Sequence, residues 1–96
     1  MSCYYVYILY SPDYDRYYVG QTDDVLRRLE EHNVHSEKSY TSKYRPWELK
    51  AAFAVGPSRS LAIRIERYIK KQKSRYYVEE LLRCGHVNAL IAKFGK

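Results

Sequence analysis

The sequence predicts an α+β fold, a single three-stranded sheet covered by helices. Three observations carry that expectation. Two tyrosine-rich runs with β-branched residues are joined by a turn, a third run alternates apolar and polar residues, and the segments between and after them have helical spacing.

The first run, Tyr4-Tyr5-Val6-Tyr7-Ile8-Leu9-Tyr10, has strand composition. Ser11-Pro12-Asp13-Tyr14-Asp15-Arg16 supplies turn chemistry, and Tyr17-Tyr18-Val19-Gly20-Gln21 returns. With Tyr10 facing Tyr17 and Leu9 facing Tyr18, Tyr7 shares a face with its diagonal neighbour Tyr18. Gly20 then leaves backbone bare where a ligand can come close. Good strand residues with one wet end explain the tyrosines equally well.

Thr22 or Asp23 can cap a helix running to about Asn33, with Val25, Leu29 and His32 on its inner face. A polar loop spans Asn33 to Pro46. From Trp47 to Val55 the alternation puts Trp47, Leu49, Ala51, Phe53 and Val55 on one side of a third strand. Gly56-Pro57 ends it, and Ser58 or Ser60 can cap a helix to about Lys73. Tyr76 to Arg83 reads as a short helix stopped by Gly85. One domain over residues 1–85 is expected, followed by a tail, 86–96, whose weak helical pattern allows it to dock back.

Ninety-six residues suit one modest core. Seventeen Lys and Arg against eleven Asp and Glu give a formal charge of +6, a field that favours nucleic acid first and anionic membrane second. Cys3 and Cys84 have neither metal-ligand nor disulfide-framework spacing, and His32, His35 and His86 lack partners at zinc spacing. No apolar run approaches a membrane span and no signal peptide opens the chain, so the expected setting is the cytoplasm. No glycine-rich phosphate loop or nucleophile elbow is present.

Arg28 and His32 are four residues apart and share a helix face. As a structural pair they are odd, a cation beside a group able to become one. An anion held by both resolves the oddity, and a guanidinium fork suits phosphate oxygens; surface or capping roles fit the spacing too. Glu66 is the one acid between Glu48 and Glu79, in a strongly cationic helix. Lys70 at i+4 offers it an ordinary ion pair of about 0.3–0.5 kcal/mol. A lone carboxylate is also what a site with one Mg²⁺ needs, since Mg²⁺ keeps waters and borrows phosphate oxygens. The lack of an acidic cluster argues against a two-metal site.

Tyr5-Val6-Tyr7, a gap of ten residues, Tyr18-Val19-Gly20 with Thr22, then Arg28 and His32 form an ordered set. It resembles the GIY-YIG endonuclease superfamily, and most of all its small stand-alone bacterial members. The likeness runs from about Tyr4 to Leu82, with Tyr5 standing where the family has its first glycine. The resemblance implies an antiparallel three-stranded sheet flanked by helices and a Mg²⁺- or Mn²⁺-dependent endonuclease, with DNA, branched or damaged forms included, as first substrate. It implies a catalytic set of Tyr7, Tyr18, Arg28, His32 and Glu66, with Glu66 the metal ligand. Tyr7, Tyr18 and His32 surround the attacking water, and the general base is left open among them.

Arg45, Lys70 and Lys73 are expected at phosphates outside the reacting centre, with Tyr44 or Trp47 for stacking. Many family members carry a supporting asparagine near the end of the domain. Here Ser74-Arg75-Tyr76-Tyr77 fills that region and the nearest candidate is Asn88, which implies weak activity or a protein partner that also supplies specificity. Two alternatives stand beside this reading: a nucleic-acid-binding module without turnover, and a protein-interaction domain.

Overall fold

The computed structural model describes residues 3–35, 43–85 and 87–95. The middle of the expected loop, 36–42, and His86 of the expected tail lie outside the described residues. Strands β1 (Tyr4–Ser11) and β2 (Arg16–Thr22) form the hairpin, and β3 (Glu48–Gly56) lies on the other side of β1, giving the order β2-β1-β3 with every pairing antiparallel. The fold is therefore α+β, a three-stranded antiparallel sheet with helices against it. The hairpin register is the one the sequence implies, with Tyr10 opposite Tyr17 and Leu9 opposite Tyr18.

Central strand β1 is buried on both faces, so its side chains serve two cores in alternation. Val6 and Ile8 point with Val19 into the larger core. That core is closed by Ala62, Ile65 and Ile69 of α2 (Arg59–Lys71), Val78 and Leu81 of α3 (Arg75–Cys84), and Val87 and Leu90 of α4 (Val87–Phe94). Phe94 of α4 meets Tyr68 of α2 edge-on at 5.2 Å. Ser58 and Ser74 cap α2 and α3 through the amides of Leu61 and Tyr77, and Gly85 ends α3 in the left-handed region at φ 65°.

Tyr7 and Leu9 point the other way and join Trp47 in a smaller core, completed by Tyr18, Val25, Leu29, Tyr44 and Leu49. Helix α1 (Val25–Glu30) covers this face and continues as a π-helical turn, Glu31–His35. Its N-cap is Asp24, not Thr22 or Asp23, because the Thr22 hydroxyl is used one step earlier, accepting from the Asp24 amide.

Strand β3 corrects the single apolar stripe expected from Trp47 to Val55. Leu9 pairs with Leu49 but Ile8 pairs with Ala51, leaving Lys50 as an extra residue. A bulge of one residue breaks the period of two. Trp47 and Leu49 consequently fill the small core, while Phe53 and Val55 fill the large one. Among the described residues no helix is long and apolar enough to cross a membrane.

Candidate active site

The small core is where the chain places its chemistry. Tyr7 and Tyr18 stand on one sheet face with ring centres 6.4 Å apart, and the imidazole of His32 lies 5.9 Å from the first and 5.0 Å from the second. The Tyr7 hydroxyl and His32 Nε2 share a hydrogen bond of 2.9 Å. Both residues are buried, at 1% and 3% exposure, so their bond lies beneath the surface of this sheet face.

Burial governs their titration. It pushes the Tyr7 phenol up to about 12, with Arg28 opposing and the charges of Tyr18 and Glu66 adding to the rise. Burial and then the Arg28 charge push His32 down to about 4, with Glu31 opposing. At neutral pH the pair is a phenol and an uncharged imidazole. The influence of both Arg28 and Glu66 on Tyr7 also shows that helices α1 and α2 bring charge to the same phenol from opposite signs.

Arg28 is not the orphan that the spacing suggests. Its Nη1 meets Glu31 Oε1 at 2.7 Å, and His32 is uncharged, so the cation-beside-cation problem does not arise. Glu66 is 17% exposed and pairs with Lys70 at 2.7 Å, the ordinary helix partner anticipated from sequence. Lys70 also lies over the Tyr18 ring, 5.0 Å from its centre. Tyr7, Tyr18, Arg28, His32 and Glu66 are therefore drawn together from β1, β2, α1, its π-helical extension and α2.

A model of the GIY-YIG catalytic domain matches residues 3–78 of this chain. The chain belongs to the GIY-YIG family. Its two motif segments are the hairpin strands, and Tyr5, standing at the place of the family's first glycine, sits in β1 opposite Thr22. A UPF0213 protein of Limosilactobacillus reuteri is 32% identical over 83 residues, covering 85% of each chain. Structure-specific endonuclease subunit SLX1 of Debaryomyces hansenii is 30% identical over 89 residues, and that of Cryptococcus neoformans 32% over 78, covering 86% and 78% of this chain. The chain spans only 26% and 16% of the length of those two fungal proteins.

The GIY-YIG glycine has a steric task here. Gly20 lies opposite Tyr7, and a Cβ on it would overlap the Tyr7 phenol at Oη and Cζ. The bare backbone expected to receive a ligand is thus covered by the chain's own tyrosine.

The remaining candidates divide. Arg45 Nε donates to the His32 carbonyl at 2.9 Å, fixing the backbone of the π-helical turn. Trp47 is 3% exposed and cannot serve as a stacking platform, because the bulge turns it into the small core. Tyr44 meets Tyr14 and Trp47 edge-on, with the Arg16 guanidinium 4.6 Å above its ring. Lys73 is exposed and takes a left-handed backbone at φ 49°. Asn88 is exposed on α4.

Sequence reasoning missed Asn33, whose side chain accepts from the Trp47 amide at 2.7 Å and donates to the Trp47 carbonyl at 3.1 Å. These bonds tie the π-helical turn to the start of β3. No spacing rule marks a contact across fourteen residues of loop.

Among the described residues no group of three or more His, Cys, Asp or Glu is placed to hold a metal. A hard divalent cation fits Glu66 only as a single-carboxylate site finished by water and phosphate oxygens, a form Mg²⁺ commonly takes. Glu66 has the right donor chemistry and enough exposure for that, provided Lys70 gives way.

Proposed function

We propose that this chain is a divalent-metal-dependent endonuclease that hydrolyses phosphodiester bonds of nucleic acid, DNA first. The observation that carries the reading is the 2.9 Å bond between Tyr7 and an uncharged His32, in a site electrically coupled to Arg28 and Glu66. A packing role alone does not call for a phenol bonded to an imidazole with a guanidinium and a carboxylate beside them.

The scissile phosphate enters on the exposed side, over Tyr18, Arg28 and Glu66. Arg28 turns from Glu31 to a non-bridging phosphate oxygen, where charge accumulates. That anion cancels the Arg28 charge that helps hold His32 near 4, so His32 gains basicity when substrate binds. Tyr7 then accepts the proton of the attacking water while passing its own to His32 Nε2. Glu66 would hold Mg²⁺ or Mn²⁺, which supplies Lewis-acid stabilisation of the leaving oxygen. Lys70, Lys73 and Arg45 are the proposed contacts to neighbouring phosphates.

The names of the fungal relatives support a structure-specific substrate, such as branched DNA, and a partner subunit that completes the enzyme. The test is incubation of the purified chain with plasmid, single-stranded and branched DNA in Mg²⁺ or Mn²⁺. Metal-dependent cleavage of at least one is expected. No cleavage of any of them, with binding intact, overturns the reading in favour of a binding module.

A further inference from the structure

A groove of about 530 Å³ runs along the outer edge of β2, between that strand and helices α2 and α3. Its apolar wall is the half-buried ring of Tyr17, with the core side chains of Val19, Ile69 and Val78 at its floor. Cations line it as well: Arg16, Lys70, Lys73 and Arg75. Among the described residues lining it Asp15 is the one acid and pairs with Arg75, which also pairs with Glu79, while Lys70 pairs with Glu66. Tyr18 and Lys70, which line this groove, also meet His32 and Glu66, so the groove abuts the proposed catalytic residues.

The geometry points to a nucleotide subsite that holds one unpaired nucleotide next to the phosphate at the Tyr7–His32 centre. This inference rests on the nuclease reading for the identity of that phosphate. The volume lies in the range of small-molecule sites, ~300–1,000 Å³. The apolar wall and floor receive a base, and lysine ammonium groups receive its phosphate. A continuous duplex keeps its bases stacked inside and offers such a slot nothing but phosphates. A nucleotide in a flap, gap or branch is already out of the stack and enters without the cost of extrusion. As an edge strand, β2 also turns backbone N–H and C=O groups outward, able to meet the edge of a base. The groove therefore selects nucleic acid with unpaired nucleotides beside the cleavage point.

The test follows backbone amides of the ¹⁵N-labelled chain during titration with deoxyadenosine monophosphate, with inorganic phosphate and a short acidic peptide as separate arms. The mononucleotide is expected to shift Tyr17, Val19, Lys73 and Val78, and phosphate alone to leave Tyr17 and Val78 unmoved. Lys73→Glu is expected to weaken the mononucleotide roughly tenfold, the scale of one lost nucleotide contact. Tyr17→Phe is expected to bind like the parent, and Tyr17→Ala to bind more weakly. Shifts confined to the residues around Tyr7 and His32, or a peptide that moves these amides when the nucleotide does not, overturn the subsite. Cleavage is measured on the same preparations with duplex and flapped DNA. Equal cleavage of both, with no amide shifts in the groove, sinks the subsite and leaves the nuclease standing. Nucleotide binding in the groove without any cleavage does the reverse.

Discussion

The phenol of Tyr7 and the imidazole of His32, 25 residues apart in sequence, meet at 2.9 Å beneath the surface, where neither carries a charge at neutral pH. Tyr7→Phe keeps the ring and removes the hydroxyl. It is expected to lower cleavage by roughly 10²–10⁴, the usual scale of a lost acid–base group. It also leaves His32 without this partner, so a stability loss of about 1–3 kcal/mol should appear in denaturant melts. Parent-like activity in the folded variant would remove Tyr7 from the chemistry.

The depressed titration of His32 sets a pH dependence of definite sign. Its folded value near 4 lies below the ordinary 6.5, so between those values the unfolded chain binds more protons than the folded one. Stability from this group is full above pH 6.5 and is lost as pH falls toward 4, by up to about 1.4 kcal/mol per unit. Chemical melts from pH 8 to 4 should show that slope in the parent and a weaker one in His32→Gln. The acid limb of kcat/KM, which reports the free enzyme, should lie near 4, and that of kcat should lie higher once phosphate neutralises Arg28.

Gly20 and Gly56 make a controlled pair. A Cβ at Gly20 strikes the Tyr7 phenol, whereas one at Gly56 meets nothing within 4 Å but must adopt φ +122°. Gly20→Ala should cost about 1–3 kcal/mol and depress cleavage strongly, because Tyr7 must move. Gly56→Ala should lose a similar ~1–3 kcal/mol through backbone strain and keep its activity per folded molecule. Equal activity in the two variants would contradict the steric role of Gly20.

Arg45 holds the carbonyl of His32 as well as carrying charge. Arg45→Gln is therefore expected to lower kcat by roughly tenfold, about 1.4 kcal/mol, besides weakening DNA binding and flattening its salt slope. A change in affinity and salt slope alone, with kcat intact, would mark Arg45 as a phosphate contact only.

The hairpin could be read from sequence because strand side chains alternate with a period of two, so composition and turn length fixed which tyrosines share a face. Helix starts at Ser58 and Ser74 obey local capping chemistry, although only the first was marked in advance. What escaped was what one residue of slippage or a distant contact decides. The bulge at Lys50 leaves the alternation of Trp47–Val55 looking unbroken, yet sends its two halves to different cores. The Arg28–Glu31 pair was within reach of the helix spacing rule, at i,i+3. Asn33 on Trp47 and Arg45 on His32 cross a loop and have no periodic signature. Tyr7, Tyr18, Arg28, His32 and Glu66 were legible as residue types in order, and the burial that sets the titration of Tyr7 and His32 came only with the packing.

Glu66 carries the central claim, and Glu66→Gln tests it most directly. The substitution keeps size and hydrogen-bonding capacity and removes the charge that would hold a divalent cation. Metal-dependent cleavage, DNA affinity and thermal stability are measured on one preparation. The expected result is a folded variant with no detectable cleavage and DNA binding equal to or slightly tighter than the parent, since one negative charge has left a basic surface. Loss of the partly exposed Lys70 pair should cost well under about 1 kcal/mol. A folded Glu66→Gln variant that cleaves like the parent would contradict the account.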